Sequence, residues 1–223
     1  MPTAKKPTRA RRDADKQKRR EDILDAAERV IAKLGLKAAN YGNIAKQSRL
    51  SRTLLYVYFP TREDLIYGVC ERALHALQAR FEAVARQEKT GLDQVIGMGR
   101  AYKAFSEDQP LYFQVISEME TKQVGAETLS SEVEGAMNCG RAVVGRVATA
   151  VAAGIKDGSI AADAGDPVLT ALAMWSFTHG LIQVSHRKGA MLQHKFSVSA
   201  EHLVEHGFRT LRASLASPRS RRT

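Results

Sequence analysis

The chain has 223 residues, 44% of them hydrophobic and 26% charged, a composition that excludes a disordered segment and supports a buried core. The net charge of +10 is concentrated: residues 1–20 carry +7 and residues 40–62 carry +4 with no acidic side chain, whereas residues 63–211 carry −4. A polyanionic partner at the N-terminal end accounts for that asymmetry, although a solvated basic tail accounts equally well for residues 1–20. The two cysteines, Cys70 and Cys139, supply neither a disulfide framework nor a metal-type spacing, which suits a reducing cytoplasm. No secretory apolar run follows Met1. The longest uncharged run, residues 167–186, contains Thr170, Ser176, Thr178, His179 and Gln183, and is expected as a buried helix, not a membrane span.

In chain order, residues 1–20 read as a basic flexible arm in which Arg9, Arg11 and Arg12 suit a DNA minor groove. The first helix begins within this arm. Its apolar positions Ile23, Ala26, Ala27, Val30, Ile31 and Leu34 recur at three- and four-residue spacing, and Gly35 stops it. Asn40 is a suitable N-cap for a helix reaching about Ser48, and Ser51 for a second short helix from Arg52 to Phe59. Pro60 ends that helix. Thr61 caps a long one running to about Glu88, with Asp64 placed favourably in its first turn. Further helices are predicted over Asp93–Glu107, Pro110–Gln123 and Ser130–Lys156, followed by two more within "GSIAADAGDPVLTALAMWSFTHGLIQV" and "SAEHLVEHGFRTLRASL". No stretch sustains the two-residue alternation of a strand, so the fold class is all-α.

Two short helices joined by a tight turn form a helix-turn-helix. The second would present Arg52, Thr53 and Tyr56, with Ile44, Ala45, Leu50 and Leu55 packed inward. Arginine suits phosphates and guanine edges, threonine a phosphate or a thymine methyl, and tyrosine a phosphate oxygen, while a carboxylate there would repel the duplex. A plain helical hairpin with aromatic core residues explains the tyrosines but leaves the missing acids unexplained.

The stretch "ILDAAERVIAKLGLKAANYGNIAKQSRLSRTLLYVYFPTREDLIYGV" resembles the N-terminal domain of the TetR family of transcriptional regulators. The resemblance rests on "ILDAA", Gly35, "NIA", "LS", "LYVYF", Pro60 and "REDL" in unbroken register. It implies a three-helix DNA-binding head over residues 21–66 and a long connecting helix. It also implies a helical ligand-binding and dimerisation domain over residues 67–216, ahead of a basic tail, residues 217–223. The family's DNA contacts fall on Arg52, Thr53, Leu54, Tyr56, Val57, Tyr58 and Arg62, and Asn40, Tyr41, Lys46 and Thr61 complete the expected DNA-facing set. There are departures. Arg49 stands where family members commonly have glycine, which demands either a positive φ or an altered turn. Thr53-Leu54 replaces Gly-Thr and Ala39-Asn40 replaces Thr-Thr, so the operator sequence is expected to differ.

In the C-terminal part, Met98, Tyr102, Phe105, Phe113, Met137, Trp175 and His179 form a set that suits a mostly apolar effector pocket, and equally an ordinary core. Ala171, Met174, Trp175, Thr178 and Ile182 line one face of a helix, as do Leu203, Gly207, Leu211 and Leu215 of the next; the resemblance assigns these last two helices to dimerisation, with Gly207 at the interface. Competing chemistry finds little support. "GAMNCGRA" lacks the Lys and Ser/Thr of a phosphate loop, and the His202–His206 pair has no third ligand at metal spacing. The sequence thus implies a homodimeric, ligand-responsive DNA-binding regulator with no catalytic residue, metal or cofactor. It would act as a repressor released from an approximately palindromic duplex operator by an apolar or amphipathic small molecule. The alternative is a helical DNA-binding architectural or partner-binding protein without an effector.

Overall fold

The computed structural model describes residues 9–120 and 129–218. They form nine α-helices among the described residues: α1 (Arg9–Leu34), α2 (Tyr41–Ser48), α3 (Arg52–Tyr58), α4 (Arg62–Gln87), α5 (Gly91–Asp108), α6 (Pro110–Glu120), α7 (Ser131–Asp157), α8 (Pro167–Phe196) and α9 (Ala200–Leu215). A single 3-10 turn, Leu36–Ala38, links α1 to α2. The extended pairing found among the described residues is one isolated bridge, Ile160 with Ala216. The all-α expectation holds. The first helix, expected to begin within the basic arm, starts at Arg9, so residues 9–20 are the opening turns of α1. Residues 1–8 and 121–123, the latter expected to close α6, lie outside the described residues, as do the side chains of Arg11 and Arg12.

Local chemistry sets the helix starts. Asn40 Oδ1 accepts from Asn43 N at 3.0 Å, and Ser51 Oγ accepts from Leu54 N at 3.2 Å, so both expected N-caps satisfy an orphan amide. Thr61 and Asp64 cap each other: Asp64 N donates to Thr61 Oγ1 at 3.0 Å, while Thr61 N donates to Asp64 Oδ2 at 2.9 Å. Arg49 ends α2 at φ 58°, ψ 31°, so the turn keeps its left-handed geometry although the residue is not glycine.

The chain divides into two compact units. The first contains residues 1–73 and 114–136, and the second residues 74–113 and 137–223. In the first, Ile23, Leu24, Ala27, Ile44, Leu55, Phe59 and Leu65 are buried together. Arg72 on α4 holds α1 through Asp25 and Glu28, each at 2.8 Å, and through Glu21. Those carboxylates and the hydrogen bonds they accept keep the guanidinium charged despite its partial burial.

In the second unit α5, α8 and α9 pack around Met98, Tyr102, Phe105, Ala171, Ile182, Phe208 and Leu211. The two predicted stripes on α8 and α9 are therefore largely an internal seam. Gly207 belongs to that seam: a Cβ there would stand 2.5 Å from Leu181 Cδ2, so this glycine serves α8–α9 packing within one chain, not an exposed face. The run beginning at Pro167 is buried on one side only, since Leu169, Leu172, Phe177 and Val184 of α8 are exposed. By length and composition alone α8 is long and apolar enough to cross a membrane; on its inner side Thr178 is buried and His179 hydrogen-bonds with Tyr102 of α5 and Gln183 of its own helix.

Candidate nucleic-acid interface and effector core

The caps of α2 and α3 hold one surface open. Arg52, Thr53, Tyr56 and Val57 are exposed on α3, Val57 with 70% of its surface free, while Leu55 on the same helix is fully buried. Asn40 and Lys46 are exposed beside them, and Leu54 and Tyr58 are half-buried. Arg52 folds over α2, where its Nη2 lies 2.8 Å from the point a Cβ on Gly42 would occupy. Gly42, absent from the sequence-level set, thus makes room for the guanidinium.

Two expected contact residues have structural duties. The Tyr41 hydroxyl donates to Phe59 O at 2.6 Å, and its ring packs 4.2 Å from that of Tyr56, which orients the exposed phenol. Burial, with neighbouring Tyr56 and Asp64, pushes the Tyr41 hydroxyl up to about 12, so it remains a donor. Arg62 donates from Nε to Ala39 O and from Nη2 to Leu36 O, both at 2.8 Å, bracing the α1–α2 link. Thr61 is exposed but its hydroxyl serves the Asp64 cap. Burial opposes ionisation of Asp64, but hydrogen bonds from Ser130 and Thr61 outweigh it and lower its pKa. Arg9 is exposed at the start of α1. Lys16 is exposed further along that helix, whereas Arg20 is half-buried, paired with Glu21, Glu71 and Glu132, and packed over the Phe59 ring.

The second unit brings most of the expected effector set together. Tyr102 stacks on Trp175 with ring centres 4.7 Å apart and meets Phe113 at 5.5 Å, while Phe105 lies 6.4 Å away. Gln183 Nε2 donates to His179 Nε2 at 3.1 Å, which places the ring proton on Nδ1, 2.8 Å from the Tyr102 hydroxyl. Burial, reinforced by Arg187, lowers the His179 pKa and favours this neutral form. The cavity beside Met98, Tyr102 and Trp175 measures only about 20 Å³, room for roughly one water. Met137 departs from expectation. It lies on α7 with 43% of its surface exposed and does not line this cavity.

An acid-free recognition surface on a capped helix-turn-helix, carried by an all-helical chain, defines the class of helix-turn-helix proteins with a helical C-terminal domain. The chain matches the model described as "Bacterial regulatory proteins, tetR family" over residues 23–67, and "Tetracyclin repressor-like, C-terminal domain" over residues 95–211. The second match alone spans more than half of the chain, and the protein belongs to the TetR family. It is 29% identical over 103 residues to "Nucleoid occlusion factor SlmA" of Vibrio campbellii, covering 46% of this chain and 53% of that protein. It is 25% identical over 115 residues to "Fatty acid metabolism regulator protein" of Bacillus subtilis, covering 50% and 58%. The chain thus spans about half the length of the curated relatives it matches. The transcriptional regulator FadR from Bacillus subtilis, solved in complex with stearoyl-CoA, shares the fold at TM-score 0.65 and 17% identity, over 87% of this chain and 98% of that one.

Proposed function

We propose that the protein is a homodimeric transcriptional regulator of the cytoplasm that binds an approximately palindromic DNA operator through α3 and releases it when an apolar or amphipathic small molecule enters the body. The observation that carries this reading is the α2–α3 surface: residues 40–62 contain no acid, and Arg52, Thr53 and Tyr56 stand exposed on it. Asn40, Lys46, Leu54, Val57 and Tyr58 flank them, and Arg9 supports an additional contact outside the recognition helix. The exposed apolar side of α8 supports self-association, because Leu169, Leu172, Phe177 and Val184 are otherwise left in water.

The Tyr102–His179–Gln183 chain beside Phe113 and Trp175 supports the effector site. Its aromatic walls suit an apolar body, and its imidazole and amide suit one polar group. With room for about one water, this core must open to admit a ligand, so binding and conformational change are necessarily linked. A relative solved with stearoyl-CoA is in keeping with a long apolar effector.

The test begins with selection of bound sequences from a random duplex pool. Wild-type protein is expected to enrich an inverted repeat, and Arg52→Ala to lose about 1–3 kcal/mol on it with helicity unchanged. Acyl-CoA thioesters and free fatty acids are then titrated with and without that duplex. A ligand that weakens operator binding must itself bind more weakly to the operator complex by the same factor. Enrichment without a repeat, or a body that takes no ligand, would favour the architectural alternative.

A further inference from the structure

We propose that Gly42 is the positioning residue for operator reading by Arg52: the notch left by its missing side chain fixes where the Arg52 guanidinium stands, and so which base pair is preferred there. This inference rests on the reading of α3 as the recognition helix. Both residues lie in the first compact unit. Arg52 opens α3, and the N-terminal residues of a recognition helix are the ones that meet base edges. A guanidinium distinguishes guanine through two parallel hydrogen bonds, to O6 and N7, so its place and tilt decide whether it reads the base at all.

Sterics at α2 set that place. A Cβ on Gly42 would lie 2.8 Å from Arg52 Nη2, 3.5 Å from Arg52 Cζ and 3.2 Å from Asn40 Oδ1. Ordinary van der Waals contact lies near about 3.5 Å, so a single methyl group would shift the fork by about 0.5 Å or more, which is the tolerance of a preorganised contact. The backbone does not demand glycine. Gly42 is the second residue of α2 and is not in the left-handed region, and alanine is the better helix former there. Residues 40–62 contain no acid, so no carboxylate of the helix-turn-helix holds the guanidinium; the notch does. The atoms that a methyl would meet first belong to side chains, so Arg52 yields and α2 stays in register with α3. Arg52 is otherwise exposed, and a side chain already seated loses less rotamer freedom when it docks on the duplex.

The test uses full-length protein, the duplex that the wild-type chain enriches from a random pool, and every single-base-pair variant of that duplex. Gly42→Ala is expected to lower affinity by about fivefold or more and to flatten discrimination at the same base pair that Arg52→Ala flattens, with the other positions read as before. In the double variant the losses should not add, because Gly42→Ala has nothing left to displace once Arg52 is gone. The unfolding midpoint of Gly42→Ala should equal or exceed that of the wild type, which separates lost reading from a damaged fold. Wild-type affinity for every duplex in Gly42→Ala, an even loss across all positions, a lowered midpoint, or a loss that persists in full beside Arg52→Ala would overturn the proposal. A pool with no enriched duplex, or wild-type affinity in Arg52→Ala, would instead overturn the recognition role of α3, and this inference with it.

Discussion

Arg49 occupies a backbone position that glycine fills at little cost. At φ 58° its Cβ crowds the peptide, and left-handed geometry costs a non-glycine residue roughly 1–2 kcal/mol. The turn between α2 and α3 holds nonetheless, because the capped helices on either side determine it. Arg49→Gly is therefore expected to stabilise the protein by about 0.5–1 kcal/mol after glycine's extra unfolded-state entropy is counted. A urea midpoint that fails to rise would show that the arginine side chain offsets the strain. His179 gives a second residue-scale prediction. Its folded pKa is lowered by burial, so the unfolded chain takes up the proton more readily. The stability contributed by the neutral ring is present at neutral pH. It is lost progressively as pH falls below the unfolded value of about 6.5, until the folded pKa is passed. His179→Gln should flatten that loss when unfolding is compared at about pH 7.5 and about pH 5.5. His186, also lowered by burial, retains its own share.

At the scale of the element, α8 and α9 meet through Gly207, against which Leu181 rests. Gly207→Leu must displace that side chain or part the helices, and overpacking of this kind costs about 1–3 kcal/mol. The expected readout is a lower unfolding midpoint in which the variant's helicity at low denaturant is preserved; an unchanged midpoint would mean Leu181 has space to swing aside. This glycine also shows which features could be seen in the chain alone. Asn40, Ser51 and Thr61 act on amides three positions away, so the starts of α2, α3 and α4 were legible from a short window. Gly207 acts on a residue of another helix, and its role inside one chain, not between two, needs the packing. The same holds for Met137, whose spacing groups it with the aromatic set although α7 turns it outward.

For the whole molecule, the proposed function depends on two copies. A single α3 reads only a few base pairs, whereas paired heads read half-sites about 34–36 Å apart, or a multiple of it, along the duplex. The surface available for pairing is the bare side of α8, where Phe177 remains 40% exposed and Leu172 45% exposed in one chain. Gly180, where a Cβ would meet nothing within 4 Å, lies on the same helix and permits close approach of a partner. The inner face of α8, holding Ala171, Thr178 and Ile182, is already spent on the chain's own core. Replacing Phe177 with glutamate, alone or with Leu172→Glu, places charge on the outer face without touching that core. Sedimentation is then expected to show a monomer whose helicity and unfolding of the isolated chain resemble those of the parent. Its affinity for the full inverted repeat should fall to that of one half-site, since the linkage that makes the second head's encounter intramolecular is lost. Arg52→Ala should do the reverse, weakening DNA binding while leaving the dimer intact. A Phe177→Glu, Leu172→Glu double variant that stays dimeric would move self-association to another surface, and one that is monomeric yet binds the full repeat undiminished would separate DNA reading from pairing altogether.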